Sequence, residues 1–241
     1  MKKLLKLLFM GTIVLSLSAT ALAKEKIYVG TNAEFPPFEY LEDGKITGFD
    51  MDLVQEIGKL VDADIKIVDM AFDGLLPALQ MKKVDLVIAG MTANEERMKT
   101  VSFTQPYYTA SQVIIVKEGN TSIKSFDDLK GRRVGVMLGF TGDMVVSEID
   151  GVKIERFNAA YAGIMALKAD KIEAVVLDSE PAKNYVAQNK GLVLADADAE
   201  QEEYAIAVRK NDKALLEKVE KALSELKENG TYDKLIQKYF N

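Results

Sequence analysis

Short β-branched runs alternate with segments of helical periodicity along most of this chain, and that alternation restricts it to α/β architecture with largely parallel sheets. Ile27-Tyr28-Val29 reads as a strand. Leu53, Ile57, Leu60 and Val61 fall at i, i+4, i+7 and i+8, which predicts a helix over 51–61. Asp50 and Asp52 stand at its start, where carboxylates complement the helix dipole. Strands follow at 65–68 and 84–89, with a helical pattern over 72–82 and a short helix over 94–99 between and after them. A second series then runs strand 113–116, strand 133–136, helix 141–149, strand 152–157, helix 159–167, strand 174–177 and helix 181–188. A strand at 204–208 and helices at 212–228 and 232–239 close the chain, with Gly230 as a C-cap signal between the last two.

Two series imply two lobes. The expected division assigns 24–110 with 207–241 to the first lobe and 111–206 to the second. Two parallel extended crossings between the lobes would form a hinge.

The first 23 residues stand apart. Lys2, Lys3 and Lys6 precede an apolar stretch from Leu7 to Leu17, and Ala21-Leu22-Ala23 supplies a small-x-small cleavage site. The stretch is short for a bilayer span, so 1–23 reads as a cleaved signal peptide. Its loss leaves 218 of 241 residues and moves the net charge from −6 to −9, since it carries three lysines and no acid. An acidic surface argues against nucleic acid as a partner. No cysteine stands at the cleavage point to take a lipid anchor, which predicts a free periplasmic protein. With no histidine and no cysteine anywhere, typical zinc sites and Ser-His or Cys-His catalytic pairs are excluded. No metal, cofactor or catalytic residue is expected.

The residues with chemistry in them gather at strand ends, where open α/β sheets collect ligands. Gly90-Met91-Thr92 follows a buried strand, and Arg97 lies a turn into the next helix. Its planar fork suits a carboxylate, and a surface pair with Glu95 or Glu96 is the alternative. Met137 through Thr141 leads from a strand into a second helix start. Asp178 ends an apolar strand, where it either receives an ammonium group or caps the helix carrying Pro181, in competition with Ser179. Asn32, Glu34 and Phe35 lie on a loop stiffened by Pro36-Pro37, which favours a pocket wall, and Phe72 is another aromatic near a strand end. The acidic run Asp196 to Glu203 lacks the EF-hand glycine and spacing and reads as a solvated loop.

In order and spacing, the segments Gly30 to Phe38, Gly48 to Leu53, Phe72 to Leu79, Gly90 to Arg97, Phe103 with Pro106-Tyr107-Tyr108, Asp128 to Gly131 and Glu228 to Lys234 resemble the polar amino-acid-binding proteins of ABC importers. These form a branch of the type II periplasmic-binding-protein fold: two α/β lobes, each a mostly parallel sheet flanked by helices, on a two-strand hinge. The resemblance covers essentially the whole chain after residue 23. It implies a monomeric binder of a small L-amino acid that serves membrane permease and ATPase subunits. It also implies roles. Arg97 and the N–H groups of Thr92 and Thr141 would hold the ligand α-carboxylate. The Gly90 carbonyl, the Thr92 hydroxyl and Asp178 would hold the α-ammonium. Phe35 and Phe72 would sandwich the side chain, with Asn32 and Glu34 varying by ligand and Met91 and Met137 lining the pocket.

Two positions depart from glutamine-binding members: Met137 stands where those often carry lysine, and Phe140 replaces a small residue. Together with the Glu34 carboxylate they point to arginine or lysine. Another polar amino acid such as glutamine or histidine is the alternative. A prephenate- or arogenate-dehydratase-like enzyme on the same fold is a more distant one.

Overall fold

The computed structural model describes residues 24–195 and 201–240. The signal segment and the residues Asp196, Asp198 and Glu200 of the acidic run lie outside that range.

The first unit begins with β1 (Glu25–Thr31), followed by a small antiparallel ribbon of β2 (Glu34–Phe35), β3 (Glu39–Glu42) and β4 (Lys45–Thr47). The sequence reading passed over this ribbon. Its signal is Asp43-Gly44, both with positive φ (49° and 74°), the turn chemistry of a two-residue hairpin. Helix α1 (Phe49–Leu60) buries Leu53 and Ile57 as its periodicity predicts, and Val54 with them, whereas Leu60 of the expected face is exposed at the helix end. Fully burying a side chain of this size contributes about 1.5–3 kcal/mol. Next come β5 (Ala63–Asp69), a 3-10 turn at Phe72–Gly74, and α2 (Leu75–Gln80). Pro77 sits in the first turn of α2, where its missing N–H is harmless. Then follow β6 (Leu86–Val87), α3 (Glu95–Met98) and β7 (Val101–Phe103).

β8 (Tyr108–Lys117) leads into the second unit: β9 (Arg133–Met137), α4 (Thr141–Ser147), β10 (Lys153–Phe157), α5 (Ala160–Lys168), β11 (Ala174–Asp178), α6 (Ser179–Gln188) and β12 (Leu192–Leu194). β13 (Gln201–Tyr204) and β14 (Ala207–Arg209) return to the first unit, which α7 (Lys213–Glu228) and α8 (Thr231–Phe240) complete.

The two main sheets run β5-β1-β6-β14-β7 and β10-β9-β11-β8-β12. Each has a parallel centre of βα units, and antiparallel pairing enters where β8 and β14 join. β8 and β13 link the units side by side, with Glu202 opposite Ala110 and Tyr204 opposite Tyr108. They are antiparallel, which corrects the expected parallel pair: one strand leaves the first unit and the other returns to it. Helix α8 is tied to α1 through Asp52, whose Oδ2 accepts from Lys238 Nζ and Tyr239 Oη at 2.7 Å each.

Candidate functional site

Helix α3 is one turn long, and its start is fixed by Asn94, whose Oδ1 accepts the Arg97 N–H at 2.9 Å. That cap aims Arg97 inward. The residue is 5% exposed and forms no salt bridge among the described residues, so the surface pair with Glu95 or Glu96 is not its role. One guanidinium nitrogen donates to Thr92 O at 2.8 Å, and the other crosses to the second unit and donates to Gly139 O at 3.0 Å. Its carbon lies 5.3 Å from the centre of the Phe72 ring, a cation–π distance. Burial lowers its pKa, and Asp178 and then Glu202 oppose that shift. A buried guanidinium bonded to neutral carbonyls keeps an uncompensated charge, which favours an anion beside it.

The second pole faces it. Asp178 occupies the N-cap position of α6 but its side chain makes no capping bond. It is buried, and Oδ2 instead accepts a short hydrogen bond from Tyr204 Oη, while Oδ1 has no partner. The capping alternative is therefore set aside. Thr92 Oγ1 donates to Glu202 Oε2 at 2.5 Å, and Gln112 Nε2 donates to Glu202 Oε1 at 2.6 Å. Thr92 and Thr141 hydroxyls lie 2.8 Å apart. Since the Thr92 proton is committed to Glu202, Thr141 is the donor in that pair. The loop before Thr141 is held by Asp143, which accepts from Gly139 N at 3.2 Å and from Arg156 Nε at 2.9 Å.

Glu202, Gln112 and Tyr204 were missed in the sequence. Glu202 was placed in a solvated acidic run, yet it is only 8% exposed. The available signal was alternation: Glu202 and Tyr204 share the buried face of β13, and Gln201 and Glu203 are exposed on the other.

Gly90 has φ +51°, and a Cβ there would come 2.6 Å from the Phe35 ring. Glycine is required both for the backbone and for that contact. Its N–H donates to Asp50 Oδ2 at 2.9 Å, which also accepts from Tyr107 Oη at 2.8 Å. Asp50 Oδ1 and both Glu39 carboxyl oxygens are buried without other partners; burial and then Asp50 push the Glu39 carboxyl well above the usual range, so a proton on Glu39 can bridge one of its oxygens to Asp50 Oδ1. Burial pushes Asp50 up to about 6 from 3.8. Between those values the folded chain binds more protons than the unfolded one, so this group's contribution to stability falls as pH rises from about 4 to 6. Asp50→Asn is expected to flatten that fall by on the order of 2–3 kcal/mol, read from urea midpoints at pH 4 and 6.5.

The aromatic residues depart from a simple sandwich. Phe140 lies between Phe35 and Phe72, stacked 3.8 Å from Phe72 and 5.3 Å from Phe35. Met91 and Met137 are buried nearby in the core. Asn32 donates to Met70 O at 3.0 Å and keeps a buried, unpartnered Oδ1. Glu34 is half-buried on the wall of a cavity of about 560 Å³ between the units, opposite Asn184, Tyr185 and Gln188 of α6. Burial and then Asp69 push its carboxyl upward. A smaller cavity of about 280 Å³ adjoins Arg97, Phe72 and Gly139. The roomier space is thus beside Glu34, while the buried cation and acid lie at Arg97 and Asp178.

Two α/β units are joined by two strands, with a buried cation and buried carboxylates meeting between them. The chain belongs to the bacterial extracellular solute-binding proteins, family 3, whose model matches residues 27–241. It is 38% identical over 253 residues to the arginine-binding extracellular protein ArtP of Bacillus subtilis, covering all of this chain and 98% of that one. Among solved structures it resembles an ancestral arginine-binding protein bound to arginine, at 46% identity and TM-score 0.88, over 90% of this chain and 99% of that one. An ancestral arginine-binding protein bound to glutamine matches at 46% identity and TM-score 0.87 with the same coverage.

Proposed function

We propose that this chain is the periplasmic solute-binding subunit of an ABC importer for a basic L-amino acid, arginine or lysine. The observation that carries the reading is the isolated buried charge of Arg97 facing the acidic pair Asp178 and Glu202. That layout matches a zwitterion, carboxylate to Arg97 and ammonium to the acids, with Thr92, Thr141 and the Gly90 carbonyl assisting. We take 24–110 with 207–241 as one lobe and 111–206 as the other. On that division Arg97 and Thr92 come from the first lobe, and Thr141, Asp178 and Glu202 from the second, so a ligand favours closure by its differential contacts. The tail runs past Phe35, Phe72 and Phe140 toward Asn32 and Glu34, with Met91 and Met137 as neutral lining. The bound amino acid is handed to permease and ATPase subunits and leaves chemically unchanged. Incubation with prephenate should give no product absorbance.

Ligand choice rests on Glu34. A cationic tail gains the aromatic faces, about 0.5–2 kcal/mol, and a charge-assisted bond to Glu34. A neutral tail leaves that carboxylate partly desolvated without a partner. Arginine or lysine is expected to bind at least about tenfold tighter than glutamine or glutamate, and Glu34→Gln should shrink the gap. Calorimetric titration of the four ligands into both proteins checks it. An unchanged gap removes Glu34 from the argument.

Export is tested separately. The early lysines and Ala21-Leu22-Ala23 predict an intact mass beginning at Lys24 with no lipid. Recovery only from membranes, or a retained N-terminus, contradicts the assignment.

A further inference from the structure

We infer that Glu202 is a second acidic residue of the ammonium pole, and that Asp178 beside it holds a proton that is released when a ligand α-ammonium enters. The inference rests on the amino-acid-binding reading above and extends it to a residue and a proton count.

The geometry begins with β13. Glu202 and Tyr204 project from one face of that strand. Asp178 and Gln112 stand opposite each other in the β11–β8 pairing. Gln112 donates to Glu202, and Tyr204 donates to Asp178, so the two carboxylates are laced into one buried mesh. Both acids are buried, at 8% and 2% exposure. Glu202 has donors on both oxygens, Thr92 and Gln112. Asp178 has a donor on Oδ2 alone, and its buried Oδ1 has no partner.

The charged and titratable groups acting on Asp178 are few. Arg97 is the cation, but its guanidinium bonds go to Thr92 O and Gly139 O and not to either acid. Glu202 adds negative field, while Glu39 from β3 is itself pushed well above the usual carboxylate range, first by burial, and so faces Asp178 in its neutral form. Tyr204 is buried and held well above the usual phenol range, first by burial and then by Asp178, so it serves as a neutral donor. Two neighbouring carboxylates out of water cannot both ionise cheaply. Burial first, then Glu202, holds the Asp178 carboxyl well above the usual range. The proton belongs on Oδ1, the oxygen without a donor.

An α-ammonium brings a full charge and three N–H donors to this point. Asp178–CO2H then becomes Asp178–CO2⁻ bonded to the ammonium, and its proton passes to buffer. Charge and atoms balance with no other reactant. While the free protein holds the proton, affinity should rise about tenfold per pH unit.

The test is calorimetric titration of L-arginine at pH 7 in phosphate and in Tris, whose ionisation enthalpies differ. The difference in apparent heat gives the proton count. About one proton released per arginine is expected for the wild type. Glu202→Gln should still bind arginine, roughly tenfold more weakly, and release less than about 0.3 proton. Arginine binding without proton release in the wild type overturns the inference alone, whatever the variant does. So does a folded Glu202→Gln with wild-type release. Absence of binding by any amino acid overturns the functional reading and this inference with it.

Discussion

Arg97→Ala is expected to abolish measurable binding of any α-amino acid while leaving the protein folded. The guanidinium is a buried cation, held by Asn94 capping the α3 start and by carbonyls on both sides of the cleft, and in the proposed site it meets the ligand α-carboxylate. Lost with it are a bidentate clamp and the only charge able to balance a buried carboxylate there among the described residues. Removing one partner of such a pair costs about 3–5 kcal/mol, a loss of roughly 150- to several thousand-fold. The fold should survive because Arg97 makes no ion pair within the described chain and meets the apolar core through the face of the Phe72 ring. Calorimetry reports the binding, and circular dichroism with a thermal melt reports the fold. Near wild-type affinity in a folded variant removes Arg97 from the site.

The second large effect is expected from Asp178→Asn. The substitution keeps shape and leaves an acceptor for Tyr204, but it cannot become an anion when an ammonium arrives. Truncating one charge of a buried, hydrogen-bonded pair costs about 2–5 kcal/mol, so affinity should fall roughly 30- to several thousand-fold. Stability of the ligand-free protein should move the other way or not at all. Two acids, Asp178 and Glu202, compete for one low-dielectric region, and a neutral amide relieves that competition. Loss of binding together with an equal or higher melting temperature separates a site residue from a structural one. A lower melting temperature with unchanged affinity reverses the assignment.

Much of this was legible in the sequence because the relevant signals were local. The β-branched runs placed Asp178 at the end of a strand and Arg97 one turn into the helix after another, and the structure has both buried there. The ribbon at β2 to β4 escaped because its strands are two to four residues long, too short for periodicity to register. Glu202 escaped for a different reason. Its charge run suggested solvent, whereas its neighbours across β8 and at Thr92 are distant in sequence, and only tertiary pairing reveals them. Whether Asp178 caps α6 or faces the cleft was likewise undecidable locally, because the backbone position is the same in both cases. Tyr204, 26 residues further along, decides it. Phe140 illustrates the same limit: its size was evident, but its place between Phe35 and Phe72 follows from how the units meet.

If a basic amino acid is recognised through its α-groups and released unchanged, titration of L-arginine into the mature protein, beside agmatine as the analogue lacking the α-carboxylate, gives saturable one-to-one arginine binding, no detectable agmatine binding at the same concentrations, and arginine recovered intact. Equal affinity for agmatine, or failure of arginine and lysine to bind while glutamine binds tightly, would contradict that recognition.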